Sequence, residues 1–169
     1  MIFTWLHQLF TPMDDAHIHL LFNHFPITGI MIGGLALLIG LIVKSEGAKK
    51  TALLILVICS ILAIPAFLSG EGAEEIVEEM GISHDIIHEH EEVAETYIWL
   101  VVGMGIIAAA TFFLTYKKNP LATIFCYLTI ALAFGCMGLG AQVGTTGGHI
   151  NHPELRDDFS LSEGQKHED

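Results

Sequence analysis

The sequence predicts an all-α membrane protein in which four transmembrane helices form an up-down-up-down bundle. Hydrophobic residues make up 52% of the 169-residue chain, and its mean hydropathy is +0.58. This chain is too apolar for an ordinary soluble domain. The apolar residues also cluster into runs that approach the roughly 20 residues needed to cross about 30 Å of hydrocarbon. Four such runs occur, at 20–43, 51–68, 97–116 and 121–143.

The distribution of basic residues predicts the orientation of these helices. Five of the seven basic residues lie in the short connections 44–50 and 117–120. Lysine and arginine concentrate in the cytoplasmic loops of membrane proteins. Both termini and the long middle connection are therefore expected on the periplasmic side of a bacterial inner membrane.

Three regions follow from this layout. Residues 1–16 are aromatic and apolar without a basic start or a cleavage site, which predicts an interfacial segment and not a signal peptide. Residues 17–152 hold the four-helix transmembrane domain, and residues 153–169 form a polar tail. The net charge of −12 argues against nucleic acid and favours metal ions or basic partners. The three cysteines include no C-x-x-C pair, which argues against disulfides and covalently attached haem.

Local signals predict where the helices begin and end. Asp14 or Asp15 suits the start of the first helix, and Pro26 predicts a kink within it. A short amphipathic helix is expected at 71–80, ended by Gly81, and Ser83 is the expected N-cap of the third long helix. The apolar stripe of the short helix consists of Ala73, Ile76, Val77 and Met80, spaced i, i+3, i+4 and i+7.

Histidines mark the periplasmic ends of three of the four helices. In an up-down-up-down bundle these ends lie together, so the topology predicts that the imidazoles converge. The residues are His17, His19 and His24 on the first helix, His84, His88 and His90 on the third, and His149 and His152 after the fourth.

The first interpretation of this cluster is a b-type haem site. Electron-transfer haems are commonly held by two imidazoles from facing helices. His24 and His90 fit this best, because both are expected near the membrane on an inward face, and His19 and His149 are further candidates. Glycines on the facing helices make room for a flat ligand or simply allow close packing: Gly29, Gly33, Gly34, Gly135, Gly138, Gly140, Gly144, Gly147 and Gly148. The alternative for His24 is a hydrogen bond to a backbone carbonyl that Pro26 leaves free.

The second interpretation is a site for zinc, copper or iron. His84 and His88 are spaced i, i+4, which allows two imidazoles to bind one ion, with Glu92 and His152 as further ligands. A solvated, charged helix end explains the same pattern without a metal.

The segment HLLFNHFPI resembles the opening motif H-P-x-x-x-H-F-P-I of an uncharacterised bacterial family of four-helix inner-membrane proteins. Leu20 replaces the first proline, and the middle connection is longer and more acidic than in the family. The resemblance implies the same topology and points to the same histidines, but it implies no activity. The matching residues are His19, His24, Phe25, Pro26 and Ile27, then His88 or His90, then Gly147, Gly148 and Ile150.

These observations favour a membrane-embedded haem b protein that transfers electrons between the quinone pool or a partner subunit and periplasmic carriers. The alternatives are a divalent-metal-binding membrane protein and a non-catalytic structural subunit of a respiratory complex. Expected partners are the lipid bilayer, respiratory-complex subunits or periplasmic cytochromes, and further copies of the chain. No G-x-S-x-G or phosphate-loop motif occurs, so an accessory or electron-transfer role is favoured over a stand-alone enzyme.

Overall fold

A computed structural model of the chain describes residues 14–156, and all regular structure within that range is helical. Most of the expected interfacial segment 1–16 and of the expected polar tail 153–169 lies outside the described residues. The helices are α1 (Asp15–Phe22), α2 (His24–Ile42), α3 (Glu46–Leu68), α4 (Gly70–Glu79), α5 (His84–Tyr116) and α6 (Ala122–Asn151), followed by one 3-10 turn (Pro153–Leu155).

Four helical segments are long and apolar enough to cross a membrane, which confirms a multi-pass membrane protein. The first is α1 with α2, Asp15–Ile42, and the others are α3, α5 and α6. At 1.5 Å per residue the 33 residues of α5 span about 50 Å, well beyond the roughly 30 Å of hydrocarbon. Both α5 and α6 therefore continue as helices past the apolar runs 97–116 and 121–143.

The four long helices pack as a ring in which α2 contacts α3, α3 contacts α5, α5 contacts α6 and α6 contacts α2. Interhelical hydrogen bonds supplement the packing. The Ser60 hydroxyl donates to the Val101 carbonyl at 2.6 Å, and the hydroxyls of Thr111 and Thr129 lie 3.0 Å apart. Such polar contacts add to van der Waals packing when helices associate in lipid. The buried centre includes Ile30, Leu37, Leu53, Leu56, Val101, Met104 and Cys136.

The outside of the bundle is covered by large apolar side chains, as expected of a surface that faces lipid. They occur on all four spans and include Leu35, Ile39, Ile58, Ile61, Trp99, Ile106, Ile124 and Phe134.

The start signals predicted for α1 and α5 and the reversal predicted at Gly81 are confirmed. Asp14 is the N-cap of α1 and accepts a hydrogen bond from the His17 backbone N–H at 2.9 Å, which lowers the pKa of the Asp14 carboxyl. The helix is interrupted at Asn23, one turn before Pro26. Gly81 has a φ of +89°, the left-handed conformation that lets the chain turn from α4 into α5, and Ser83 is the N-cap of α5.

The short amphipathic helix is present as α4, but its apolar stripe is only partly covered. Ala73 and Val77 are half-buried, whereas Ile76 and Met80 are exposed. The reason is that α4 packs mainly against α1, where Gly72 leaves space for the Asp15 side chain. Ile76 and Met80 thus remain uncovered by the rest of residues 14–156.

Candidate functional site

His19 is held by a backbone carbonyl at the end of a neighbouring helix. α1 packs against both α3 and α4, and this places the half-buried His19 ring beside the last turn of α3. His19 Nδ1 lies 2.8 Å from the Ala66 carbonyl oxygen. A carbonyl oxygen can only accept, so Nδ1 carries the hydrogen and the neutral ring keeps its lone pair on Nε2.

His90 is held in the same way by a hydroxyl of α6. The His90 ring is half-buried, and its Nδ1 lies 2.9 Å from Thr146 Oγ1. That hydroxyl also lies 3.1 Å from the Gln142 carbonyl and 3.3 Å from the Val143 carbonyl, which take its hydrogen. Thr146 Oγ1 therefore accepts from His90 Nδ1, and the lone pair of a neutral His90 is again on Nε2.

A glycine makes room for the His90 ring. A Cβ at Gly147 would lie 3.1 Å from His90 Cε1, which is closer than ordinary van der Waals contact. Gly147 therefore allows α6 to approach the imidazole while Thr146 binds it.

His19 on α1 and His90 on α5 are each held by a hydrogen bond to a neighbouring helix at the end of the bundle away from the short connections. We call these two residues the imidazole pair, and the end of the bundle that holds them the histidine end. Both rings are oriented through Nδ1 and keep Nε2 available. In metal proteins, a hydrogen bond from the second ring nitrogen fixes the tautomer and orientation of a ligating histidine.

The inward orientation expected of His24 is wrong. Its side chain is exposed, and its Nδ1 contacts the side-chain amide of Asn23, the adjacent residue. Pro26 is buried, and residues two apart on a helix do not share a face. His24 consequently points away from the bundle, and His19 takes the inward position on this segment.

His149, the fourth expected haem-binding residue, was expected after the fourth helix but lies within it, because α6 continues to Asn151; its side chain is half-buried. Its backbone carbonyl accepts a hydrogen bond from Arg156 Nε at 2.7 Å, which fixes the path of the chain after the helix. Its side chain lines a groove between α5 and α6 together with Thr146, and thus lies next to the residue that binds His90.

A second cluster of polar groups joins α4 to the start of α5. The cluster contains Glu74, Glu78 and His84, and each offers one atom that could bind a metal. These three atoms lie within 4.8 Å of one another. His84 Nδ1 lies 2.8 Å from Glu78 Oε1. A hydrogen bond with the Glu91 carboxyl raises the pKa of Glu74 to about 7, helped by partial burial and by repulsion from Glu91 and Glu78. We call these four residues the carboxylate cluster.

The other residues expected to bind metal occupy different positions. The rings of His84 and His88 stack with their centroids 6.1 Å apart, and His88 lies 3.6 Å from the carboxylates of both Glu91 and Glu92. The shared, exposed face predicted for His84, His88 and Glu92 is thus present. His152 is exposed and pairs with Glu154 at 3.0 Å, after the end of α6.

The glycines of α2 serve helix packing. Gly29 receives Cys59, Gly33 receives Leu56 and Gly34 receives Ala133. The space they were expected to leave for a flat ligand is filled by these side chains, so close packing explains them. Gly138 and Gly144 of α6 differ, because a Cβ at either position would meet nothing within 4 Å.

Sequence reasoning missed Glu74 and Glu78 as partners of His84, and Ala66 and Thr146 as partners of the imidazole pair. Gly81 was the available signal for the first two, because a tight turn returns the next helix alongside the previous one. Partners of the imidazole pair have no such signal, since they lie 47 and 56 residues away along the chain.

Comparisons with protein-family models, curated proteins and solved structures find no match for this chain. The resemblance of the HLLFNHFPI segment to an uncharacterised membrane family stays a prediction.

Proposed function

We propose that this protein binds b-type haem at the histidine end, with His19 and His90 as axial ligands, and transfers electrons. The observation that carries the proposal is the orientation of both imidazoles through Nδ1, by the Ala66 carbonyl and the Thr146 hydroxyl. Two neutral Nε2 atoms on different helices are the ligand set of many membrane haems. The pair replaces the His24 and His90 combination favoured by the sequence, because His24 is exposed.

The surroundings of the imidazole pair suit an iron ligand. Both rings are half-buried at the end of an apolar bundle, where a neutral imidazole is easier to bury than a charged one. Hydrogen bonds at Nδ1 raise the basicity of Nε2 and hold the ring plane. A protonated imidazole cannot bind iron, so haem binding is expected to weaken in acid.

The proposal includes an orientation in the membrane. Lysine side chains gather at the opposite end of the bundle, where Lys50 lies over the Tyr116 ring and Lys117 over the Phe113 ring. Lysines concentrate on the cytoplasmic side of membrane proteins. In a bacterial inner membrane, the histidine end and both termini would then face the periplasm, and the helices would run up-down-up-down. The electron partners would then be the quinone pool or a respiratory-complex subunit, and a periplasmic cytochrome.

The test is a reduced-minus-oxidised visible spectrum of the protein purified from cells supplied with ample haem precursor. We expect sharp haem b bands, which His19→Ala and His90→Ala abolish. His24→Ala and His17→Ala are matched controls, because both rings are exposed at the same end of the chain. A featureless spectrum of the wild type, or bands that survive both His19→Ala and His90→Ala, would overturn the proposal.

A second candidate function is binding of a divalent transition metal by the carboxylate cluster. The specific observation is the convergence of Glu74, Glu78 and His84 within 4.8 Å, with one imidazole and two carboxylates as in many zinc sites. Zinc, copper or iron would compete with protons for the Glu74 carboxylate. Metal analysis after dialysis against zinc tests this. Glu78→Gln and His84→Ala should abolish zinc binding. The control variants Glu79→Gln and His17→Ala should bind zinc like the wild type.

Failure of both tests would favour the remaining alternative, a structural subunit of a respiratory complex. The two sites are separable, since haem loss would follow His19→Ala and zinc loss would follow His84→Ala.

A further inference from the structure

An open groove of about 350 Å³ lies between α5 and α6 at the histidine end. Thr146 forms part of its wall and also accepts the hydrogen bond from His90. A molecule in the groove would therefore be separated from His90 by a single side chain. The lining residues are Glu89 and Val93 from α5 and Ala141, Gln142, Thr145, Thr146 and His149 from α6.

The groove has a polar end and continues along an open face of α6. Glu89 and His149 stand nearest the helix end, and residues 135, 138, 142, 145 and 149 follow one face at helical spacing. A Cβ at Gly138 would meet nothing within 4 Å, and one at Gly135 would lie 3.6 Å from Leu100. The shape suits a molecule with a polar head at the membrane surface and an apolar tail in the bilayer.

The side chains of the groove select for a neutral head group. Lysine and arginine are missing from the residues that line it, and Glu89 would repel a phosphate or carboxylate. The Glu89 carboxylate and the His149 imidazole can instead accept hydrogen bonds from hydroxyl groups, and Gln142 can donate or accept. The volume is near the lower end of the roughly 300–1,000 Å³ of small-molecule sites, which suits a single ring.

We propose that this groove binds the head group of a membrane quinol, whose two hydroxyl groups donate hydrogen bonds to Glu89 and His149. The inference rests on the proposed electron-transfer function, for which it names the electron donor. Oxidation of one quinol to quinone breaks two O–H bonds and releases two electrons and two protons. Glu89 and His149 would accept the two protons, and a haem held by the imidazole pair would supply one-electron transfer toward a periplasmic carrier.

The test measures quinol binding without relying on haem. Cofactor-free protein in phosphatidylcholine nanodiscs is dialysed under anaerobic conditions against tetramethyl-1,4-benzoquinol, a head group without a tail. We expect saturable binding of one molecule per chain. Ala141→Leu, which fills the groove, and Glu89→Gln, which removes a charged acceptor, should each weaken binding at least about tenfold.

Ala131→Leu is the matched control, because Ala131 is exposed on the same helix and lies about 15 Å from Ala141 along its axis. If Ala141→Leu does not fold, Gln142→Leu removes the hydrogen-bonding amide from the same wall. Three results would each overturn the inference. The protein could take up no more quinol than empty nanodiscs, the groove variants could bind quinol as tightly as the wild type, or a phospholipid could occupy the groove and resist displacement by the quinol.

The two proposals fail separately. Groove-dependent quinol binding by a protein that takes up no haem would overturn the proposed function and leave the quinol site standing. A haem-loaded protein without saturable quinol binding would overturn the quinol site alone.

Discussion

Gly105 is the position where the packing of the bundle gives the sharpest quantitative prediction. A Cβ there would overlap both the Oγ and the Cβ of Ser60 on α3, so rotation of the serine hydroxyl cannot relieve the clash. Such overpacking costs about 1–3 kcal/mol. Displacing Ser60 also breaks its hydrogen bond to the Val101 carbonyl, which is worth about 0.6 kcal/mol in a membrane protein.

Gly103→Ala is the matched control for Gly105→Ala, because a Cβ at Gly103 would meet nothing within 4 Å. Both variants gain the same helix propensity, so their difference in the free energy of unfolding isolates the clash and the lost hydrogen bond. We expect Gly105→Ala to be less stable by about 2–4 kcal/mol.

Unfolding of the detergent-solubilised variants in sodium dodecyl sulfate, followed by far-UV circular dichroism, measures that difference. Combining Gly105→Ala with Ser60→Gly should recover the part of the lost stability that comes from the clash, since the overlapping atoms are then gone, but not the part that comes from the hydrogen bond. Equal stability of the Gly103 and Gly105 variants would refute the reasoning, because the close approach of α3 and α5 would then not exist.

Two further predictions concern the sites themselves. Thr146→Val removes the hydrogen-bond acceptor for His90 and should lower the affinity for haem about 10–100-fold. Thr145→Val, at the next position, is the control and should change that affinity by no more than a few-fold. Titration of each variant with haem measures the difference. The Glu91 carboxyl raises the pKa of Glu74 from 4.5 in the unfolded chain to about 7 in the folded chain. The stabilising effect of this interaction is therefore complete below pH 4.5 and lost as the pH rises through about 7. Thermal unfolding across that range should show this loss in the wild type but not in Glu74→Gln, and a pH-independent wild type would contradict it.

Most of the helix layout could be predicted from the sequence because its signals are local. Length and hydrophobicity identify a membrane span, a carboxylate or hydroxyl before the first turn identifies an N-cap, and a glycine identifies a reversal. Asp14, Ser83 and Gly81 carry such signals, and each lies where it was expected. For the candidate site the sequence placed the histidines at one end of the bundle and favoured His24 with His90, of which only His90 has the expected inward position.

Tertiary structure decided which histidines meet. The choice between His19 and His24 depends on how the segment turns at Asn23 and on where the Ala66 carbonyl lies, and neither is encoded in the spacing of the two histidines. The selection of His90 likewise depends on Thr146, 56 residues away on another helix. Thus the sequence by itself determined the helices, their caps and their apolar faces. The rotation and packing of those helices determined the hydrogen-bond partner of each imidazole, because partners on different helices meet only when the helices pack.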